Sequence, residues 1–338
     1  MTNPRSEGPR TTVFIVGAPR SGTTFLQNLI GSHPLVATSQ ETDLFTKYVA
    51  PLRGTWEHQL RSDPEDWKRW RHKGLPAVLT EDEFDSIVGG VIGQVHSRTM
   101  DLKPGAEICL VKVPQDCTHA QLILRYVPDA RFIHLIRDGR DVVASQLRAA
   151  RGWGREWAPK NLSRAAVRWR LDVEAGRSIQ QLTDAYLEVR YEELVSDGGP
   201  AVLKHAFAAV GIEATDDFCS TAHAEFSLGS EGAARSSLVW GGEVIRRLGT
   251  APSEPGGFAG EGGVGAWEHE LDLRARSTFE RTAGSLLHEL GYTPSPEWVD
   301  SRRAARAAAS VGATVQSVEM AARNRLRTAL ARRLRIAG

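Results

Sequence analysis

The stretch T-V-F-I-V-G-A-P-R-S-G-T-T, residues 12–24, decides the fold of this chain. Its β-branched and aromatic run, Val13 to Val16, predicts a buried strand that ends at Gly17. A polar turn follows, and the apolar residues after the turn recur at helical spacing. The order of strand, glycine-containing loop and helix places backbone N–H groups at the positive end of a helix dipole. We therefore predict that this stretch binds a phosphate group.

The loop itself offers a cation, hydroxyl groups and backbone amides to an anion. The predicted phosphate ligands are Arg20, Ser21, Gly22, Thr23 and Thr24. A Walker A loop would have lysine at the position that Thr23 occupies. Because nucleoside triphosphatases need that lysine, the sequence disfavours ATP or GTP hydrolysis unless Arg20 replaces it.

Composition excludes several broad classes of protein. With 338 residues, of which 41% are hydrophobic and 25% charged, the chain can bury a large core. A net charge of +1 gives no general attraction to nucleic acid or to an anionic membrane. No run approaches the length of a membrane span, and the three cysteines lack metal-ligand spacing. We expect a cytoplasmic protein with neither a nucleic-acid partner nor a transmembrane segment.

Two further apolar strands are predicted to end beside the phosphate loop. Leu35–Thr38 leads into S-Q-E-T-D at 39–43, and the strand Glu107–Val113 ends in K-V, followed by a proline, with the lysine at position 112. Ligands of open α/β sheets bind at the carboxyl ends of strands, which makes Glu41 and Lys112 candidates for chemistry. The alternatives are a first-turn helix carboxylate for Glu41 and a lysine that reaches to the surface for Lys112.

A second strand, turn and helix combination follows later in the chain. The predicted strand Arg131–Ile136 leads directly into R-D-G-R-D at 137–141. Arg137 and Ser145 would converge on one phosphate if the next helix begins near Asp141. The alternative is that the aspartates cap the helix and the arginines are solvated. A Walker B motif is disfavoured because the first polar group is a cation, which suits phosphate better than magnesium.

Together the two motifs resemble those of sulfotransferases that use 3′-phosphoadenosine 5′-phosphosulfate (PAPS). In that family, a loop similar to Arg20–Thr24 holds the 5′-phosphosulfate group. An arginine at a strand end and a serine eight positions later hold the 3′-phosphate, and Arg137 and Ser145 have this spacing. The resemblance continues in V-R-Y-E-E-L-V at 189–195, where Tyr191 would border the nucleotide.

A glycine-rich segment near the C-terminal end adds to the resemblance. G-G-V-G-A-W at 262–267 is similar to the nucleotide loop of cytosolic members, which implies Gly265 and Trp267 as cofactor-binding residues. The basic pair that precedes this loop in the family is absent here. Arg246 or Arg247 would have to replace it.

The resemblance also implies the catalytic residues. Cytosolic members have K-x-H at the lysine strand, whereas this chain reads K-V-P from Lys112 onward and has no histidine there. The protein-tyrosine type uses a glutamate in a sequence similar to S-Q-E-T-D, which identifies Glu41 as the predicted general base, with Asp43 and His119 as substitutes. Lys112 and Arg20 would stabilise the charge that develops during transfer.

The fold implied is α/β, the three-layer fold of P-loop NTPases with a central parallel sheet flanked by helices. A disordered tail is predicted at 1–10 and a sulfotransferase domain at 11–295. Helical insertions are expected near 51–105 and 151–183, and an Ala/Arg-rich helical extension at 296–338.

The implied reaction moves a sulfuryl group from PAPS to a hydroxyl group on a small molecule, glycan or lipid. It releases 3′,5′-adenosine bisphosphate (PAP) and calls for no metal ion. The rival functions are a P-loop kinase and an inactive nucleotide-binding module. Trp153, Trp157 and Trp169 would either frame the acceptor pocket or pack in the core. Residues 228–265 are expected to close over the nucleotide. The basic C-terminal helix is compatible with weak membrane contact. The chain is also compatible with a homodimer.

Overall fold

The computed structural model describes residues 11–61, 65, 74–227, 263–292 and 298. Within this part of the chain, the strands are β1 Thr11–Gly17, β2 Val36–Thr38, β3 Ile108–Lys112, β4 Arg131–Ile136 and β5 Tyr186–Arg190. They form one parallel sheet in the order β2-β3-β1-β4-β5. The predicted parallel sheet is therefore confirmed.

Helices connect the strands and cover both faces of the sheet. In the described ranges they are α1 Thr23–Gly31, α2 Ala50–Leu60, α3 Glu81–Asp101, α4 Ala120–Tyr126, α5 Gly139–Ala150, α6 Leu162–Ser178, α7 Tyr191–Leu194, α8 Gly199–Val210, α9 Asp216–Phe226, α10 Trp267–Glu270 and α11 Leu273–Glu289. Other helical segments are the π-helical Leu44–Val49 and the 3-10 turns Leu75–Ala77, Pro114–His119 and Ile179–Gln181.

The central strand β1 is buried on both faces because its apolar side chains alternate between two cores. Val13 and Ile15 pack in the cluster that contains residues of α1, α8 and α9. Phe14 and Val16 pack on the opposite face with residues of α3 and α4. This arrangement of helices, sheet and helices confirms the predicted three-layer α/β class.

The sheet has its topological switch point between β1 and β4. The chain leaves β1 towards β2 on one side and leaves β4 towards β5 on the other. Gly17 pairs with Leu135 at this point, and its φ is 151°. A Cβ at position 17 would lie 2.5 Å from the Leu135 carbonyl oxygen, so glycine is required where the chain turns out of β1. The crevice above this point is where such folds bind ligands.

Several predicted segments fall wholly or mostly outside the described residues. These are the tail at 1–10, most of 228–265, the arginines at 246 and 247, and the extension at 296–338 apart from Trp298. The predicted helical insertions contain α2 and α3 in one case and α6 in the other. The domain limits themselves stay predictions.

Candidate active site

The phosphate loop connects β1 to the first turn of α1. The N–H of Ser21 donates to the carbonyl of Ala18 at 3.1 Å, so this amide closes the turn and does not face an anion as the sequence suggested. Gly22, with φ of 97°, occupies the N-cap of α1 and contributes no side-chain cap. The amides of the following first turn have no intrahelical acceptor. The positive end of α1 therefore faces the crevice.

Two side chains of the loop are placed to meet an anion. The hydroxyl group of Ser21 is buried and has no hydrogen-bond partner in the structure. Arg20 has a left-handed backbone, with φ of 79°, which is uncommon for a residue with a side chain. Its Nε donates to Oγ of Ser145 at 3.1 Å, and its guanidinium carbon lies 5.3 Å from the ring centroid of Trp153.

Glu41 and Lys112 form an ion pair at the carboxyl edge of the sheet. Nζ of Lys112 donates to Oε1 of Glu41, because β2 and β3 are neighbours and both end here. Lys112 is only 5% exposed, so it does not reach to the surface. Glu41 lies in an irregular segment, and the next helical turn begins at Leu44, so it is not a first-turn helix carboxylate either. Both alternative interpretations of these residues are wrong.

One cavity of about 680 Å³ joins the phosphate loop to this ion pair. Its lining includes Arg20, Thr23, Thr24, Glu41, Asp43, Lys112, His119, Trp153, Trp157 and Arg168. The cavity therefore contains the predicted base, the predicted lysine and both substitute bases together with the phosphate loop.

The three tryptophans proposed for an acceptor pocket divide into two groups. Trp153 and Trp157 line the cavity, with ring centroids 5.4 Å apart. Trp169 is fully buried, and its Nε1 donates to the carbonyl of Arg137. A Cβ at Gly139 would lie 2.5 Å from the ring of Trp169, so this ring fills the core under α5.

The second motif begins its helix earlier than expected. Asp138 is the N-cap of α5 and accepts from the N–H of Arg140 at 2.9 Å, so the helix begins two residues before Asp141. Arg137 is buried, with its guanidinium carbon 4.2 Å from the ring centroid of Tyr191. One terminal nitrogen of Arg137 donates to a backbone carbonyl at position 263, while its Nε has no partner in the structure.

In the described part of the chain, Arg137 and Ser145 contact different residues. Ser145 contacts Arg20, whereas Arg137 contacts Tyr191 and the glycine-rich segment. Tyr191 also packs under the phosphate loop, because a Cβ at Gly22 would lie 2.4 Å from its ring. Burial raises the pKa of the Tyr191 hydroxyl above its usual range, which keeps the phenol neutral.

The glycine-rich segment uses its amides within the protein. The N–H of Gly265 donates to Oδ2 of Asp141, and the N–H of Trp267 donates to Oδ1, both at 2.9 Å. The ring of Trp267 is buried, 4.2 Å from the guanidinium carbon of Arg140. These two amides are therefore not directed at a ligand, and the ring of Trp267 belongs to the core.

Sequence reasoning missed Asp116, which lies in the 3-10 turn after Lys112. Its side chain is 1% exposed, and neither carboxylate oxygen has a hydrogen-bond partner in the structure. Burial raises its pKa to about 8, with further contributions from Asp43 and Glu41. The one signal in the sequence is an acidic residue between an apolar strand and an apolar helix.

Two further features that the sequence raises are the three cysteines and the capacity of the chain to span a membrane. Cys109, Cys117 and Cys219 are buried free thiols. Among the described helices, none has the length and apolar composition of a membrane span.

The fold and the site together define an α/β protein with a phosphate loop at the switch point of its sheet and a lysine–glutamate pair beside that loop. Residues 12–216 match the sequence profile of the sulfotransferase family. The chain belongs to the sulfotransferase family.

Individual relatives agree with this assignment over part of their length. The chain is 28% identical to Drosophila melanogaster protein-tyrosine sulfotransferase and to Caenorhabditis elegans protein-tyrosine sulfotransferase A, each over 133 residues and 39% of this chain. These matches span 24% and 32% of the two relatives, so they cover less than half of either protein.

A solved structure supports the fold over a larger part of the chain. The sulfotransferase domain of the Synechococcus PCC 7002 olefin synthase superimposes with a TM-score of 0.51 at 18% identity. The superposition covers 87% of this chain and 99% of that domain.

Proposed function

We propose that this chain is a PAPS-dependent sulfotransferase that moves a sulfuryl group to a hydroxyl acceptor and releases PAP. The observation that carries the proposal is the ion pair between Lys112 and Glu41, in the same cavity as the phosphate loop. A nucleotide-binding module without activity has no need of a carboxylate and a buried lysine beside its phosphate loop. Membership of the sulfotransferase family supports the same reaction.

The residues present fit the donor PAPS at both of its ends. The buried hydroxyl of Ser21 and the Nε of Arg137 are donors without a partner in the structure, and each suits a phosphate oxygen. Arg20 and the first turn of α1 would hold the 5′ end, and Arg137 with Ser145 would hold the 3′-phosphate. When bound, PAPS supplies an activated sulfuryl group and a 5′-phosphate oxygen that leaves.

Glu41 is the proposed general base. Its side chain is 40% exposed and faces the cavity, so its carboxylate can accept a proton from a bound hydroxyl group. Glu41 would take the acceptor proton as the acceptor oxygen bonds to the sulfur of PAPS and the bond between sulfur and the 5′-phosphate oxygen breaks. Lys112, Arg20 and the hydroxyls of Thr23 and Thr24 would stabilise the negative charge left on the 5′-phosphate oxygen.

The acceptor and the location are proposed at a coarser level. A hydroxyl group on a small molecule, glycan or lipid fits a cavity that is lined by two tryptophan rings and by polar groups. Peptidyl tyrosine is a further acceptor because the named relatives are protein-tyrosine sulfotransferases. We propose a cytoplasmic location, which the three buried free thiols support.

Domain organisation is also a proposal, with a tail at 1–10, a catalytic domain at 11–295 and a basic extension at 296–338. Weak contact of the extension with anionic lipid, and a homodimer, are further proposals. Co-sedimentation with phosphatidylserine vesicles tests the first of these. Light scattering of the protein as it elutes from a size-exclusion column tests the homodimer.

The proposed reaction is tested by ligand binding followed by transfer. Calorimetry compares PAP with ATP and magnesium, and PAPS carrying radiolabelled sulfate is then offered with phenols, sterols, sugars and a tyrosine peptide. We expect tight binding of PAP and label in at least one acceptor class. Binding of ATP with magnesium in preference to PAP would instead indicate a kinase. PAP binding without any transfer across the panel would indicate an inactive binding module.

A further inference from the structure

A buried carboxylate of α5 accepts hydrogen bonds with both of its oxygen atoms from one distant segment of the chain. Asp141 accepts from the N–H groups of Gly265 and Trp267, which lie 124 and 126 positions further along the chain. Its side chain is 1% exposed. Asp138 already caps the helix on which Asp141 lies, so Asp141 is not needed for that purpose.

The same segment is attached to the proposed 3′-phosphate arginine. Arg137 donates to the carbonyl of Gly263 at 2.9 Å, and one of its terminal nitrogens lies 3.9 Å from Oδ2 of Asp141. The guanidinium is held on its other side by the ring of Tyr191. Segment 263–267 and Asp141 thus fix the position of Arg137 while its Nε has no protein partner.

Charge argues against direct contact between Asp141 and a nucleotide. A carboxylate repels a phosphate group, and both oxygens of Asp141 are already occupied by backbone amides. Burial raises the pKa of Asp141 above its ordinary value, and the two amides and Arg137 oppose this shift by stabilising the charged form. The charged form is the one that accepts both hydrogen bonds.

We propose that Asp141 is a positioning residue, which holds segment 263–267 against Arg137 and thereby completes the 3′-phosphate site. The inference rests on the proposed function, because it assumes that Arg137 binds the 3′-phosphate of PAPS or PAP. In this role Asp141 acts only through its neighbours and does not contact the nucleotide. The glycine-rich segment therefore borders the site, with the amides of Gly265 and Trp267 directed towards the carboxylate of Asp141.

The test uses two nucleotides that differ only in the 3′-phosphate. PAP and adenosine 5′-monophosphate are titrated by calorimetry into the full chain, as wild type and as Asp141→Asn. The asparagine keeps the size of the side chain but can accept from one amide only. We expect its PAP affinity to fall on the order of tenfold, the usual effect of losing a hydrogen bond to a charged group, with unchanged affinity for the monophosphate.

A matched control separates positioning from a general loss of stability. Asp85 on α3 is a carboxylate that is less buried than Asp141, and it binds Arg53, Arg125 and Tyr126 away from the phosphate loop. Asp85→Asn should lower the unfolding temperature and leave the preference for PAP unchanged. Hydrogen exchange of the peptide that covers 263–267 should accelerate in Asp141→Asn and not in the control.

A second variant perturbs the segment without touching the carboxylate. Gly265 has φ of 84° and open space where a Cβ would lie, so Gly265→Ala strains the backbone without a clash. We expect the same selective loss of PAP affinity, which keeps the proposal testable if Asp141→Asn does not fold. Full retention of the preference for PAP in both variants would overturn the proposal. A wild type with no preference for PAP over the monophosphate would instead refute the assumed 3′-phosphate site.

Discussion

Arg20 donates from Nε to Oγ of Ser145 at 3.1 Å, although 125 positions separate the two residues in the chain. The contact crosses the crevice between β1 and β4 and joins the two phosphate motifs. The guanidinium of Arg20 thus lies beside Ser145 of the second motif as well as in its own loop. The proposed base Glu41 lines the same cavity as Arg20. Arg137 instead contacts Tyr191 and the glycine-rich segment, so substitutions of Glu41 and Arg137 should affect different steps.

Replacement of the proposed base should affect turnover and not nucleotide binding. Glu41→Gln keeps the shape of the side chain but cannot take a proton, and kcat should fall on the order of 10²- to 10⁴-fold. PAP affinity, measured by calorimetry, should stay unchanged. Asp43→Asn is the matched control, since Asp43 lines the same cavity and pairs with Lys47 at 2.5 Å. If turnover falls in the control and not in Glu41→Gln, the base has been misassigned.

Replacement of the buried Arg137 should weaken nucleotide binding, in contrast to replacement of Glu41. Arg137→Ala removes the unpartnered Nε, and PAP affinity should fall about 10- to 100-fold while affinity for adenosine 5′-monophosphate changes little. Arg125→Ala, which removes an arginine from the cluster around Asp85, is the control. Equal weakening of both nucleotides by Arg137→Ala would contradict a role specific to the 3′-phosphate.

Two glycine substitutions should change stability in opposite directions. Gly139→Ala places a Cβ 2.5 Å from the ring of Trp169, and we expect a loss of about 1–3 kcal/mol in the free energy of unfolding. Gly89→Ala on α3 meets no atom within 4 Å and should gain about 0.5–1 kcal/mol. Urea unfolding monitored by circular dichroism measures both. A stable Gly139→Ala variant would mean that Trp169 can move.

The buried Asp116 should make stability depend on pH. Its pKa is raised to about 8 in the folded chain, from an ordinary value near 3.8, so the folded state binds the extra proton between these pH values. Stability should therefore fall as pH rises through this window. Asp116→Asn removes the titration and should be more stable than wild type at pH 8.5, with little difference near pH 4.

The control for this prediction is Asp184→Asn, at an exposed aspartate. Its urea midpoints should follow those of wild type at every pH. If Asp116→Asn keeps the full pH dependence of wild type, a different group is responsible.

Local parts of the fold could be predicted from the sequence because their signals are local. The strand β1, the turn at Gly17 and the helix α1 follow from short-range patterns, and the structure confirms them. Glu41 and Lys112 could each be identified as strand-end residues. Their contact could not, because it depends on β2 and β3 being neighbours, and hydrophobic patterns do not encode strand order.

The remaining features depend on partners that are far away in the chain. Asp141 fits a helix cap by spacing, yet its partners are the amides of Gly265 and Trp267. Residue type alone does not distinguish Trp169 from Trp153, but the ring of Trp169 fills the core and the ring of Trp153 lines the cavity. Such differences arise from tertiary packing, which a sequence window cannot distinguish.

The left-handed backbone of Arg20 lowers the stability of the fold, whereas its guanidinium is proposed to serve the reaction. A residue with a side chain costs about 1–2 kcal/mol in this conformation, and glycine would adopt it freely. A laboratory selection for thermal tolerance alone should therefore enrich glycine at position 20, and with it chains that have lost the guanidinium between the two motifs. Engineers who evolve this protein for industrial use should select for catalysis in the same step.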